Sequence, residues 1–262
     1  FDTALKQAQD LGFAEADPTF DIEGVDAAHK ITILASIAFG IPINFDAVHV
    51  EGISNLSQKD ISYAEELGYK IKLLGIAKSQ NADVEIRVHP TLVPKNRLVA
   101  NVDGAMNAVL VHGNMVGPTL YYGAGAGAEP TASAVVADVI DIARQTKLSQ
   151  NTLIPSLGFM PDKINEKNIL SIENIFSEYY LRFTMKNQAG LLAKITNSFA
   201  DHYISINSMV HKGVQENNQN PDSCLITSKT KEADIDTIIS EIELLPENTE
   251  KVVKIRTEEL NK

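Results

Sequence analysis

Residues 15–30, EADPTFDIEGVDAAHK, place five carboxylates (Glu15, Asp17, Asp21, Glu23, Asp26) and Lys30 directly ahead of an apolar helical pattern. Asp26 and Lys30 are four apart, so one helix face carries both and they can act as a unit. A lysine held beside carboxylates stays charged and can donate a proton to a developing alkoxide, while a spare carboxylate can bind the ammonium group of a small substrate. The alternative is a solvated acidic loop, with Asp26 favoured at a helix start by the macrodipole. Divalent-cation binding is a third option, although no calcium-loop spacing is present.

Other constellations are weaker. Gly123, Gly125 and Ala128 formally satisfy the dinucleotide fingerprint, whose structural alternative is a tight strand-to-helix turn. A complete nucleotide-binding fold needs a further strand about twenty residues on, ending in an acidic ribose ligand, and that position falls in the polar stretch 145–151. The chain is therefore not expected to hold such a fold, although the backbone of the turn can approach a cofactor held by another domain. His29 has no nucleophile at a recognisable spacing and reads as a surface or packed histidine. Neither a Ser-His-Asp arrangement nor a zinc signature is present, and Tyr121-Tyr122 reads as one inward and one outward aromatic on a strand.

The elements that position these residues are set by periodicity. Phe1, Ala4, Leu5, Ala8 and Leu11 recur at helical spacing, with Gly12 placed as a C-cap. A second helix runs from about residue 24–26 to Phe39, burying Ala27, Ala28, Ile31, Leu34, Ala35 and Ala38, and Gly40 and Pro42 close it. Ser57 and Asp60 form a capping box before a short helix ended by Gly68. Residues 69–77 have the apolar density of a strand, and Val84, Ile86 and Val88 alternate with Glu85, Arg87 and His89 as on a half-buried strand. Residues 98–102, 105–111 and 119–122 continue the β character. A helix from Pro130 follows, with Ala132, Val135, Val136, Val139 and Ala143 on one face. The polar stretch 145–175 suits an interdomain connection. Beyond it, strands at 179–184, 203–212, 223–229 and 252–257 and helices at 190–200 and 233–244 spell βαββαβ, a split-βαβ sandwich.

With 262 residues and 44% hydrophobic content, two cores are the natural reading. A net charge of −11 without a basic run argues against a nucleic-acid surface and for small-molecule or protein partners. The apolar run 31–43 is too short to span a bilayer, and no signal peptide opens the chain. The lone Cys224 rules out an internal disulfide and fits a reducing cytoplasm. The chain begins at Phe1 inside a helical pattern, which reads as a fragment.

The stretches EADPTFDIEGVDAAHKITILA, VEGISNLSQKDISYAEELGYKIKLLGIA and NVDGAMNAVLVHGNMVGPTLYYGAGAGAEPTASAVVADVIDIAR together resemble the catalytic domain of homoserine dehydrogenase. YYLRFTMKNQAGLLAKITNSFADHYISINSM resembles the ACT regulatory domain that many bacterial members carry. The resemblance implies a mixed α/β (α+β) chain: a catalytic domain over 1–146, a linker over 147–176 and a ferredoxin-like ACT domain over 177–262. It implies NAD(P)-dependent interconversion of L-homoserine and L-aspartate 4-semialdehyde on the route to threonine, methionine and isoleucine. By resemblance Lys30 is the proton donor and Asp26 the carboxylate beside it. Glu15 and Asp21 contact the substrate, and Gly127 approaches the cofactor. The family's N-terminal nucleotide-binding domain is missing, which implies an inactive isolated chain and an uncovered face on the helix at 130–144.

In the ACT-like region the usual acid-x-Pro-Gly loop reads Asn187-Gln188-Ala189-Gly190. The implied effector is L-threonine, near Asn187, Gly190, Leu191 and Asn207 at an interface between two such domains; a pairing module without ligand or catalysis is the alternative. A homodimer or homotetramer is expected, with strands such as 84–89 and 105–111 pairing across subunits.

Overall fold

The computed structural model describes residues 2–10, 17–80, 82–146, 154–186, 188–212 and 220–260. Gly12, Glu15 and Asn187 lie outside the described residues. The chain is mixed α/β. Its first part contains helices α1 (Asp2–Asp10), α2 (Thr19–Ile22), α3 (Val25–Phe39) and α4 (Gln58–Glu66) and strands β1 (His49–Val50), β2 (Tyr69–Gln80) and β3 (Asp83–Pro94). The hairpin β4 (Met106–Gly113) and β5 (Gly117–Ala124) and helix α5 (Ala128–Gln145) come next. The last part runs β6 (Phe176–Thr184), α6 (Leu191–Asp201), β7 (Ile206–Lys212), β8 (Asp222–Thr227), β9 (Thr230–Lys231), α7 (Glu232–Glu243) and β10 (Val253–Thr257). Apart from the two-residue β9, this is the βαββαβ order read from periodicity.

One eight-stranded sheet joins the two ends of the chain, and β3 is where they meet. Along one edge β3 pairs antiparallel with β2, from Tyr69↔Pro94 to Gln80↔Asp83. Three segments tile its other edge in succession. The backbone at Asn168 and Leu170 bonds Val84 at 2.9 Å each, β1 pairs in parallel at Arg87 and Val88, and β10 pairs in parallel at Thr91 and Leu92. β10 then continues through antiparallel β6, β8 and β7.

Every residue of β3 from Val84 to Val93 is buried, which corrects the half-buried reading. Val84, Ile86 and Val88 pack against Ala28 and Ala35 of α3, as the alternation predicts. The opposite face, read as solvent-facing, is covered instead by charge. Arg87 donates to Glu85 (2.6 Å) and to Glu258 (3.1 Å), so the polar residues of the strand are partnered within the protein. Because both edges of β3 are occupied, residues 84–89 are not free to pair across subunits.

Two further readings change. Residues 98–102 form a 3-10 turn (Val99–Asn101): Ala100 donates to the Arg97 carbonyl, and the Asn101 side chain caps the Lys95 and Arg97 carbonyls at 2.9 Å. Tyr121 and Tyr122 are both exposed, because the β4–β5 hairpin is a separate two-stranded sheet.

The capping box at α4 forms as read, the Asp60 amide donating to Ser57 Oγ and the Ser57 amide to Asp60 Oδ2, both at 3.3 Å. Asp60 is also fully buried against the C-terminal strands, accepting from Arg182 Nε (2.6 Å) and the Tyr180 hydroxyl (3.1 Å). Burial pushes its carboxyl up, but hydrogen bonds from Arg182 and Ser57 outweigh this and hold it below its ordinary range. Tyr63 and Ala64 of α4 share a core with Leu92, Tyr180, Ile226 and Ile255, while α6 and α7 cover the other face through Ile195, Phe199, Ile235, Ile238 and Ile242.

His89 is fully buried on the charged face of β3, with Nε2 accepting from Arg87 Nε at 2.9 Å and Nδ1 2.9 Å from the Pro90 carbonyl. Burial, then the charges of Arg256 and Arg87, drives its pKa well below the ordinary 6.5. The unfolded chain takes up a proton below that pH while the folded chain does not, so stability is lost as pH falls. Urea unfolding between about pH 5 and 6.5 is expected to show this as a slope that rises toward roughly 1.4 kcal/mol per pH unit at the lower end, and His89→Gln to flatten it.

Candidate functional site

The acidic stretch folds into two short pieces of structure that aim α3. Asp17 accepts from the Thr19 amide (3.1 Å) and hydroxyl (2.6 Å), which nucleates α2 and lowers the Asp17 pKa through those hydrogen bonds. Gly24 then takes a left-handed φ of 77°, and its carbonyl accepts from the Ala28 amide at 2.9 Å to open α3. A side chain here would be strained by that φ, and its Cβ would press on Val88 Cγ1 at 3.1 Å.

Asp26 and Lys30 form an ion pair on α3, as their spacing predicts. The pair stands on the open side of the helix, with side chains 38% and 64% exposed, while Ala28, Thr32, Ala35 and Ser36 face inward. Asp21 is exposed on α2 and linked to the same turn through its carbonyl, which accepts from the Gly24 amide at 3.2 Å. His29 is exposed on α3, with its ring edge-on to Phe20 (5.3 Å between centroids) and tilted on Phe45 (4.5 Å), which fits the surface-histidine reading. Glu15 belongs with this cluster in the sequence but lies outside the described residues.

Residues 50–54 carry no chemical signal of their own, yet they shape the turn before α3. Gly52 lies so close to it that a Cβ would fall 2.6 Å from the Glu23 Cα and the Ile22 carbonyl oxygen. The Ile53 amide donates to that carbonyl at 2.9 Å, and the Ser54 hydroxyl donates to Glu23. A glycine after a two-residue strand is the available signal in the sequence, although nothing local identifies its neighbour.

Gly127 sits elsewhere, as the N-cap of α5 with φ 124°. The β5–α5 turn does not open a dinucleotide fold: β5 pairs only antiparallel, with β4, and Glu129 in the first turn of α5 places negative charge where a pyrophosphate would approach. The described residues therefore do not fit a complete nicotinamide site. Val135, Val136, Val139, Ile140 and Ile142 of α5 are exposed.

A concavity of about 340 Å³ lies beside the N-terminus of α6. Gly190, Leu191, Lys186, His211 and Ser223 are among its lining residues, and His211 Nδ1 lies 2.8 Å from Ser223 Oγ. Gly190 has a left-handed φ of 85°. Asn207 does not line this space; its amide is bonded to Glu178 and the Thr227 carbonyl at 3.1 Å each.

The family model of homoserine dehydrogenase matches residues 1–140, a span that includes α2, α3 and the Asp26–Lys30 pair. The chain belongs to the homoserine dehydrogenase family. Over 261 residues it is 49% identical to homoserine dehydrogenase of Pseudomonas aeruginosa and 51% identical to that of Neisseria gonorrhoeae, covering 100% of this chain and 60% of each relative. A crystal structure of a homoserine dehydrogenase from Thiobacillus denitrificans is 54% identical and superposes with a TM-score of 0.91, covering 99% of this chain and 59% of that one. The Staphylococcus aureus homoserine dehydrogenase at pH 6.0 gives 32% identity and a TM-score of 0.72, covering 99% and 60%. The chain thus spans about 60% of the length of the relatives it matches.

Gly52→Ala is expected to force the turn before α3 apart, because the atoms its methyl would strike are backbone. A loss of about 1–3 kcal/mol in denaturant unfolding is the expected outcome.

Proposed function

We propose that this chain supplies the proton-handling and regulatory part of a homoserine dehydrogenase, interconverting L-homoserine and L-aspartate 4-semialdehyde with NAD(P) in threonine, methionine and isoleucine biosynthesis. The observation that carries this reading is the Asp26–Lys30 ion pair within the span matched by the family model. In the reducing direction, negative charge develops on the aldehyde oxygen, and the Lys30 ammonium donates a proton to it. In the oxidising direction the neutral amine takes the hydroxyl proton. Asp26 pairs with the Lys30 ammonium and orients its nitrogen. Glu15 and Asp21 are assigned to the substrate, with a carboxylate available for its ammonium group. Gly127 is assigned to the approach of NAD(P), which supplies the hydride chemistry and is held chiefly outside these residues, so the isolated chain is expected to be inactive. A cytoplasmic setting belongs to the same reading, and the buried free Cys224, whose thiol burial pushes up to about 12, is consistent with it.

A second element of the reading is regulation. The cavity beside Gly190 and Leu191 supports the C-terminal βαββαβ unit as an ACT-like amino-acid receptor, with L-threonine the proposed effector. Asn207 is not assigned to that ligand, since its amide is spoken for within the sheet. Assembly into a homodimer or homotetramer is supported by exposed Val109, Val111, Tyr121 and Tyr122 on the hairpin.

Lys30→Met in the protein at its relatives' full length is expected to lower kcat with homoserine by about 100-fold or more while leaving the circular dichroism spectrum unchanged. Retained turnover would remove the proton-donor role. Calorimetric titration with L-threonine, L-methionine and L-lysine is expected to give a binding isotherm for threonine, and no heat for any of the three would favour a pairing module.

A further inference from the structure

The N-terminal turn of α3 is fastened to the last strand of the chain. Arg256 on β10 is buried, and both of its terminal nitrogens reach Glu51, 205 residues away in sequence, Nη1 to Oε2 at 2.9 Å and Nη2 to Oε1 at 2.8 Å. Its Nε donates to Glu232 at the start of α7 at 2.7 Å. His49 Nε2 lies 2.7 Å from Glu51 Oε1, and the Glu51 amide donates to the Val88 carbonyl at 2.8 Å. The carboxylate and the backbone of Glu51 are therefore both fixed. Burial pushes the Glu51 carboxyl up, but His49 and Arg256 prevail and hold it well below its ordinary range, so it is an anion throughout the working range of pH.

The three residues after Glu51 make the contacts that shape the site. Gly52 lies against Ile22 and Glu23 without room for a Cβ, Ile53 bonds the Ile22 carbonyl, and Ser54 bonds the Glu23 carboxylate. Gly24 and Asp26 lie immediately beyond that turn in the chain. We propose that Glu51, clamped by Arg256, is a positioning residue for the Asp26–Lys30 pair, so that the C-terminal strand sets the aim of the proton-handling helix. This rests on the reading of Asp26 and Lys30 as the proton-handling pair. A bidentate guanidinium–carboxylate pair fixes orientation as well as distance. A displacement of the helix start by about an ångström is enough to misplace a proton donor.

The test uses the full-length enzyme with homoserine and NADP, comparing Glu51→Gln with Lys30→Met and the unmodified protein. Glu51→Gln keeps the shape of the side chain and one acceptor for Arg256 but removes the charge that makes the clamp bidentate. Per folded molecule, kcat is expected to fall by about 10- to 100-fold, with KM for NADP unchanged and the pH–kcat profile displaced. A purely structural role would lower the melting temperature and leave those kinetic readouts untouched. If Glu51→Gln does not fold, Glu51→Asp, which keeps the charge but withdraws it by one methylene, carries the same expectation. A folded Glu51 variant with the kcat and pH profile of the unmodified enzyme, beside an inactive Lys30→Met, overturns the positioning role alone. Turnover surviving in Lys30→Met overturns the reading of the pair, and the positioning role with it.

Discussion

Arginine burial at the junction of the two ends of the chain is the constraint on which the remaining structure depends. Arg87, Arg182 and Arg256 are all almost fully buried, and each meets a carboxylate contributed from far along the sequence: Glu258, Asp60, and Glu51 with Glu232. A buried guanidinium without its partner leaves an uncompensated charge, at a cost of about 3–5 kcal/mol. The two ends are therefore not free to separate once β10 has docked beside β1 on the edge of β3. The pairing of β10 with β3 involves only two residue pairs. Side-chain charge, rather than the length of the ladder, specifies that register.

The stretch that connects the two ends is drawn into the same junction. Its polar composition reads as a tether, but its backbone at Asn168 and Leu170 bonds Val84, and Phe159 packs over Gly40, leaving 3.1 Å for a Cβ there. Asn165 donates to the Gly40 carbonyl at 3.0 Å, so the left-handed glycine that ends α3 is held from outside the helix. Both ends of α3 are thus set by residues distant in sequence: Glu51 to Ser54 at its start and Phe159 to Asn165 at its finish.

Local chemistry was legible where it was self-contained. The capping box of α4 and the βαββαβ order are each written in local stretches of chain, and both are present. The apolar stripe of α3 is kept only in part: Ala28 and Ala35 are buried, but Leu34 and Ala38 are exposed, and Thr32 and Ser36 turn inward instead, their hydroxyls satisfied by the Ala28 and Thr32 carbonyls. The failures share a cause. Glu85, Arg87 and His89 alternate with valine and isoleucine in a pattern that normally marks a wet sheet face. Their burial depends on Glu258, 171 residues beyond Arg87, and on Arg256, neither of which carries a local signal. Within the candidate site, the spacing of Asp26 and Lys30 gave the pair. It could not give Gly52, because the close approach that demands glycine is to a segment about thirty residues earlier.

The energetics of the pair make that omission consequential. An i,i+4 ion pair whose lysine is 64% exposed contributes only about 0.3–0.5 kcal/mol, far too little to hold the two side chains in one arrangement against their rotamer freedom. Its geometry must come from the backbone beneath it. That backbone is fixed at the helix start by a glycine with φ 77° against Val88, and by the Ile22–Glu23 turn pressed onto Gly52. Those contacts belong to the buried junction, where each charge is paired and each close approach requires a glycine. The exposed pair therefore stands open to solvent, and its direction is determined by the buried sheet behind it.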